Sequence, residues 1–215
     1  MKTKLFIIVL LILCQYGFTQ QNFPFTKSKI DSINSINVQG VEISQDSLRL
    51  LIEKSIKSAE VLNYKIGIAE GFLKLGINDY YQGNYKEHFE HQLKAIKIYE
   101  DINEFALAAK AYGQIGYLTR RRDLSTANSL MQKALVLAKK DSIKSKIQDI
   151  YNNYSILKLM EKRFDSARFY AEKGLKIKQI IKDSFGIPYS YANIANTYLV
   201  EGKLNKAKNI FNKSF

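Results

Sequence analysis

Residues that carry reaction chemistry are scarce in this chain. Its 215 residues include one cysteine, two histidines and two prolines. A lone cysteine excludes an internal disulfide, and this one, Cys14, sits in an apolar leader. Both histidines fall in Glu87-His88-Phe89-Glu90-His91. Two histidines in one short stretch support no Ser-His-Asp constellation. The i,i+3 pair could bind a metal on one helix face, but it lacks the His-Glu-x-x-His order of zinc proteases and any cysteine ligand. It reads as ordinary helix residues. A Gly-rich phosphate loop, a nucleophile elbow and a paired-carboxylate site are all missing. No enzymatic role, cofactor or metal is therefore expected.

Long apolar runs are also missing. The run Leu5–Leu13 covers nine residues, ten with Cys14, well short of the roughly 20 needed to span a bilayer. With Lys2 and Lys4 before it and Gly17-Phe18-Thr19 after it, residues 1–19 read as a secretory signal cleaved near Thr19-Gln20. The mature chain would then hold no cysteine, which suits an exported, periplasmic or other extracytoplasmic compartment. A full-length protein anchored in the inner membrane fits the same reading.

Acid is short relative to base: 33 Lys and Arg face 20 Asp and Glu, a formal charge of +13, and loss of Lys2 and Lys4 leaves +11. Such a balance attracts polyanions. In an exported chain it reads as a lysine-rich solvated surface with weak attraction to anionic membranes, and specific nucleic-acid binding is not expected. Any affinity for duplex DNA should be sequence-blind and lost steeply with salt.

What the chain does have is a period. Positions His88, Ala127, Ala167 and Ala207 are spaced by 39, 40 and 40 residues, and Ala95, Ala134, Gly174 and Ser214 repeat with the same steps. Gly76, Gly116, Ser155 and Ala195 form a third periodic set. A fixed period of this size marks a stacked array whose core is built from neighbour contacts. Four helical hairpins are expected at about 65–102, 104–138, 145–181 and 188–215, the last judged truncated. Short turns divide them at Gln82-Gly83-Asn84, Arg121-Arg122-Asp123, Glu161-Lys162-Arg163 and Glu201-Gly202-Lys203. Residues 20–45 read as a polar leader or linker without helical periodicity. Residues 46–64, opened by an Asp46-Ser47 cap, read as an N-terminal half-repeat lacking a clear partner before it.

These residues resemble the tetratricopeptide repeat (TPR) family over roughly residues 46–215. The resemblance rests on Leu75-Gly76, Gly83, Tyr85 and Ala95; on Ile115-Gly116, Leu124, Ala127 and Ala134; on Phe164, Ala167 and Leu175; and on Ile194-Ala195, Tyr198, Gly202, Ala207 and Phe211. His88 and Ser155 depart from the small-residue pattern, and the period exceeds the usual length, implying long helices. The resemblance implies an all-α, right-handed solenoid of stacked antiparallel hairpins. Gly76, Gly116, Ala95, Ala127, Ala134, Ala167, Gly174, Ala195 and Ala207 would be its close-packing positions.

In such arrays the first helices line a concave face that binds protein or peptide segments. Alignment places Leu73, Ile77, Tyr80 and Tyr81 there, then Lys110, Tyr117, Arg120 and Arg121, then Asn152, Ile156 and Leu159, and finally Tyr189, Asn196 and Leu199. Tyrosine and arginine are favoured interface anchors. The Arg120-Arg121-Arg122 run reads as a solvated turn that could also contact carboxylate or phosphate. Signal-bearing arrays of this period resemble the extracytoplasmic sensor portions of bacterial regulators, whose histidine kinase or DNA-binding effector is not in this chain. A self-contained periplasmic adaptor is the alternative. Four Asp-Ser-aliphatic tripeptides, at Asp31, Asp46, Asp141 and Asp165, resemble bacterial O-glycosylation sites, and helix capping explains the same pairing.

Overall fold

The computed structural model describes residues 24–140 and 144–214. The expected signal segment, Asp141-Ser142-Ile143 and Phe215 lie outside the described residues. Ten α-helices run through the described part: α1 (Lys27–Asn34), α2 (Gln45–Val61), α3 (Lys65–Gln82), α4 (Tyr85–Asp101), α5 (Phe105–Thr119), α6 (Leu124–Lys140), α7 (Lys144–Met160), α8 (Phe164–Ile180), α9 (Gly186–Val200) and α10 (Leu204–Phe211). A short 3₁₀ turn, Asn212–Ser214, follows α10. Among the described residues no helix is long and apolar enough to cross a membrane.

Helices pack in sequence as antiparallel pairs: α3 on α4, α5 on α6, α7 on α8 and α9 on α10. Joints between pairs come from α2 on α3, α4 on α5, α6 on α7 and α8 on α9. First helices also meet across pairs, α5 against α7 and α7 against α9. They form the inner wall of an all-α solenoid, and the second helices form its outer surface.

The segment read as a plain linker contains α1. Its Ile30 and Ile33 are fully buried with Leu48, Ile52 and Ile56 of α2, and with Ile68 and Leu75 of α3. So α2 does have a preceding partner, eight residues long. Two apolar residues in a polar octapeptide gave too weak a periodic signal. The α2 cap also differs from expectation: Ser44, not Asp46-Ser47, accepts the Ser47 N–H at 3.1 Å, and Asp46 lies in the first turn. Gly186 opens α9, and Pro188 is its third residue.

Turn chemistry follows the repeat. Gly83 and Gly202 both adopt φ +83° after the first helix of their hairpins, and Lys162 holds the same place at φ +57°. In the second hairpin Gly116 and Ala127 are one residue closer in sequence than the equivalent pairs, and the α5–α6 turn has no such residue. There Asp123 caps α6, its carboxylate accepting the Thr126 N–H at 2.9 Å and the Thr126 hydroxyl at 2.5 Å.

Close approach explains the small residues. A Cβ on Gly116 would lie 3.2 Å from the Ala127 carbonyl oxygen and 3.3 Å from both Leu130 and Met131. A Cβ on Gly76 would meet Gln92 and the His88 carbonyl oxygen at 3.1 Å, and one on Gly174 would come within 3.3 Å of the Gln148 carbonyl oxygen. Ala95, Ala127, Ala134, Ala167, Ala195 and Ala207 are all buried. Ala167→Leu should accordingly cost about 1–3 kcal/mol through overpacking. Lys173→Gln, on an exposed position of the following turns, should change stability by less than about 0.5 kcal/mol. Urea denaturation of both checks this, and equal midpoints would show that the repeat register is misplaced.

Candidate functional site

The inner wall holds two adjoining depressions. The larger, about 530 Å³, lies where α1, α3 and α5 converge. Its floor is apolar, made by Leu73, Ile77, Leu107 and Ala111, and its rim carries Asp31, Glu70, Lys74, Lys110 and Gln114. A second depression of about 230 Å³ shares Ile77 and Gln114 and continues along α3 and α5 to Tyr80, Tyr81, Tyr117, Leu118 and Asn153. Successive α3 residues Glu70, Lys74, Ile77 and Tyr81 reach this wall because they fall on one helical stripe. On α5 the matching stripe is Leu107, Lys110, Gln114, Tyr117 and Leu118.

Electrostatics differ along this groove. At the α1 end, burial raises the Glu70 carboxyl above its ordinary value and nearby Asp31 adds to the rise, while Lys110 and Lys74 oppose it. Burial lowers the Lys74 ammonium, whose protons are donated to the Ile36 carbonyl at 2.5 Å. Tyr64 donates to Asp31 at 2.9 Å, and burial together with that bond pushes its phenol up to about 12. The other end is aromatic and carries arginines over its rings. Tyr80 meets Tyr81, Tyr85 and His88 edge-on at 5.3–5.6 Å. Arg122 lies over the Tyr85 ring at 3.3 Å from its centroid and Arg120 over Tyr117 at 3.5 Å. These two arginines are thus held by aromatic rings instead of ranging freely in solvent.

No protein-family profile and no curated protein sequence matches the chain. Solved structures do. BtubC (BKLC) from P. vanneervenii superposes with a TM-score of 0.69 at 16% identity, covering 79% of this chain and 71% of that one. The kinesin light chain TPR-like repeats from Podospora anserina superpose with a TM-score of 0.66 at 12% identity, covering 87% and 92%. The fold is TPR-like.

Within this TPR-like array the sequence-derived groove residues do not form one surface. Leu73, Ile77 and Lys110 meet in the larger depression, and Ile77, Tyr80, Tyr81 and Tyr117 in the smaller. Asn196 and Leu199 lie apart, in an apolar hollow of about 340 Å³ between α9 and α10. Asn152 accepts a hydrogen bond from Asn193 at 2.5 Å, so it joins α7 to α9. Ile156 and Leu159 are half-buried, Arg121 is exposed, and none of the three lines these depressions. Exposed Tyr189 sits beneath Lys178, 5.8 Å from ring centre to ammonium. Sequence alignment missed Glu70, Lys74, Gln114 and Asn153. Each lies on the same helix as a chosen residue, and a step of one turn from Ile77 or Lys110 reaches Lys74 and Gln114.

The TPR-like array also has a recurrent polar joint. Arg49 of α2 donates to Asp79 of α3; Asn128 of α6 donates to Glu161 and accepts from Lys158 at 2.5 Å; Arg168 of α8 donates to Glu201 at 2.6 Å. Arg49, Asn128 and Arg168 hold equivalent positions, one residue past Leu48, Ala127 and Ala167, and their partners lie 30 or 33 residues on. Phe89 takes that position in α4 and packs into the central apolar cluster.

The two histidines belong to this framework. His91 reaches Asp79 Oδ2 at 2.7 Å and stacks on Phe72. His88 donates from Nδ1 to the Gly76 carbonyl at 2.7 Å, which leaves Nε2 buried without a partner. Burial lowers its proton affinity, as do Arg122 and His91, against the Gly76 bond and Asp79. A histidine depressed in the folded state stabilises fully above its unfolded value, near 6.5, and that contribution is lost as pH falls through the folded value. Denaturation midpoints should therefore drop between about pH 7 and pH 5, near the ordinary histidine range. The drop should be shallower in His88→Ala; parallel pH profiles would refute this.

Proposed function

We propose that the chain is a non-catalytic solenoid that binds an extended protein or peptide segment along the α3–α5 wall. The observation that carries this reading is the pair of contiguous depressions, together about the size of small ligand sites. They offer an apolar floor, tyrosine walls and amide groups from Gln114 and Asn153. Side chains of that kind grip a peptide through its backbone amides and one or two apolar residues. The leader read at residues 1–19 supports an exported setting, where such a groove would serve as the sensing part of an envelope signalling protein.

A peptide-display selection against the full chain tests this. Enriched peptides should lose about tenfold or more in affinity on Tyr117→Ala or on Tyr81→Ala with Lys110→Ala. Lys97→Gln, on the outer surface, should leave affinity unchanged. Peptides that bind all these variants equally would sink the groove assignment. Cell fractionation of the tagged chain tests export separately, and retention in the cytoplasm would refute it.

A further inference from the structure

The outer surface carries a second feature that the groove does not use. Helices α6, α8 and α10 contain nine Lys and Arg, of which Arg168 and Lys178 are buried, against two Asp and Glu, whereas α4 contains three against four. Positive charge is therefore concentrated on the second helices of the last three hairpins. It is also ordered. Lys94, Lys133 and Lys173 are equivalent positions of successive repeats, and each ammonium stands over a ring of the first helix of its own hairpin: Phe72 at 5.6 Å, Tyr112 at 5.7 Å and Tyr151 at 5.8 Å. Lys173 also sits 4.3 Å from the Phe169 ring. None of the three lysines makes an ion pair among the described residues.

Exposed apolar side chains interleave with these lysines. On α8 the outward stripe reads Phe169, Lys173, Lys176, Ile180, with Phe169 50% and Ile180 60% exposed. On α6, Val136 is 59% exposed one turn beyond Lys133. The equivalent stripe on α4 reads Glu90, Lys94, Lys97, Asp101, where acids replace the apolar residues. A stripe that alternates lysine with large exposed aliphatic and aromatic groups matches the boundary between headgroups and acyl chains. The ammoniums meet anionic headgroups while their neighbours leave water. A nucleic-acid backbone would satisfy the lysines and leave Phe169, Val136 and Ile180 in water, so it fits less well.

We infer that the outer face of α6 and α8 docks on an anionic membrane surface, leaving the inner wall free. Sedimentation of the full chain with phosphatidylcholine vesicles, with and without phosphatidylglycerol, provides the test. Partitioning should require the anionic lipid and weaken with added salt. Lys173→Gln with Lys176→Gln should lower it about 30-fold, since each lysine near an anionic surface contributes about fivefold. Phe169→Ser with Ile180→Ser should also lower it, whereas Lys94→Gln with Lys97→Gln should change it least. Equal losses from the α8 and α4 lysine pairs would reduce the effect to diffuse charge and overturn the assignment. So would a failure to bind anionic vesicles, or duplex DNA binding that is tighter than vesicle binding at the same salt and indifferent to Phe169→Ser with Ile180→Ser. Tyr117→Ala leaves this face intact, so loss of peptide binding with vesicle binding retained separates the two surfaces.

Discussion

Arg49→Met is expected to destabilise the N-terminal hairpins by about 3–5 kcal/mol, the usual cost of stranding a buried charge. Asp79 is 0% exposed, and Arg49 supplies its cationic partner from α2, 30 residues earlier. The truncated partner leaves the carboxylate with His91 alone, in a place that water cannot reach. Arg49 itself keeps some solvent contact, its side chain 30% exposed, so Asp79→Leu should cost less than Arg49→Met. Combining both removes the charges together and should recover most of the loss, because an apolar pair of similar volume is often near neutral. A double-mutant cycle by urea denaturation measures this. Additive losses would mean the pair is not coupled.

Ile115→Ala should cost about 2–5 kcal/mol, the range for truncating a buried aliphatic side chain. Ile115 is fully buried in the largest apolar cluster, which runs from Ile96 of α4 through α5 and α6 to Leu157 of α7. Stacked arrays derive stability from neighbour contacts, so damage here weakens interfaces on both sides and should lower the main transition. Ile30→Ala, equally buried but in short α1, should loosen only the N-terminal end. Hydrogen exchange distinguishes these outcomes: protection should fall across α4–α7 in the first variant and mainly in α1 and α2 in the second. A uniform fall in both would indicate a single cooperative unit.

Much of the architecture was legible because packing constrains residue size. Gly76, Gly116 and Ala167 must be small where helices approach, and Gly83 and Gly202 must accommodate a left-handed turn, so a period survives in the sequence. Interactions that need only complementary charge leave no such trace. Arg49 and Asp79 are separated by 30 residues, and nothing local in either helix announces their pairing. The joint recurs as Arg, Phe, Asn and Arg at equivalent positions, a set with no shared chemistry. Helix α1 escaped notice because two isoleucines suffice to anchor eight residues. Of the residues lining the depressions, alignment named Leu73, Ile77, Tyr80, Tyr81, Lys110 and Tyr117, but it spread its set along the full array, whereas the continuous depression lies on α3 and α5. Which first-helix residues face a cavity depends on how neighbouring repeats and α1 close around them, and that is a property of the assembled wall.

The exceptional joint has a mechanical consequence. Three junctions are latched by hydrogen bonds between charged or amide groups, which are directional and resist sliding. At the junction of α4 with α5, Phe89 takes the latch position, and apolar contact is non-directional. Flexure of the array is therefore least resisted between the first full hairpin and the second. The two depressions straddle that same junction, with α3 on one bank and α5 on the other. Small rotations there change the width of the groove without breaking a latch of that kind, and work against the Tyr112–Glu100 hydrogen bond that crosses the same junction. The array is a spring whose most compliant coil coincides with the proposed binding wall, so an occupant that bridges α3 and α5 would stiffen it.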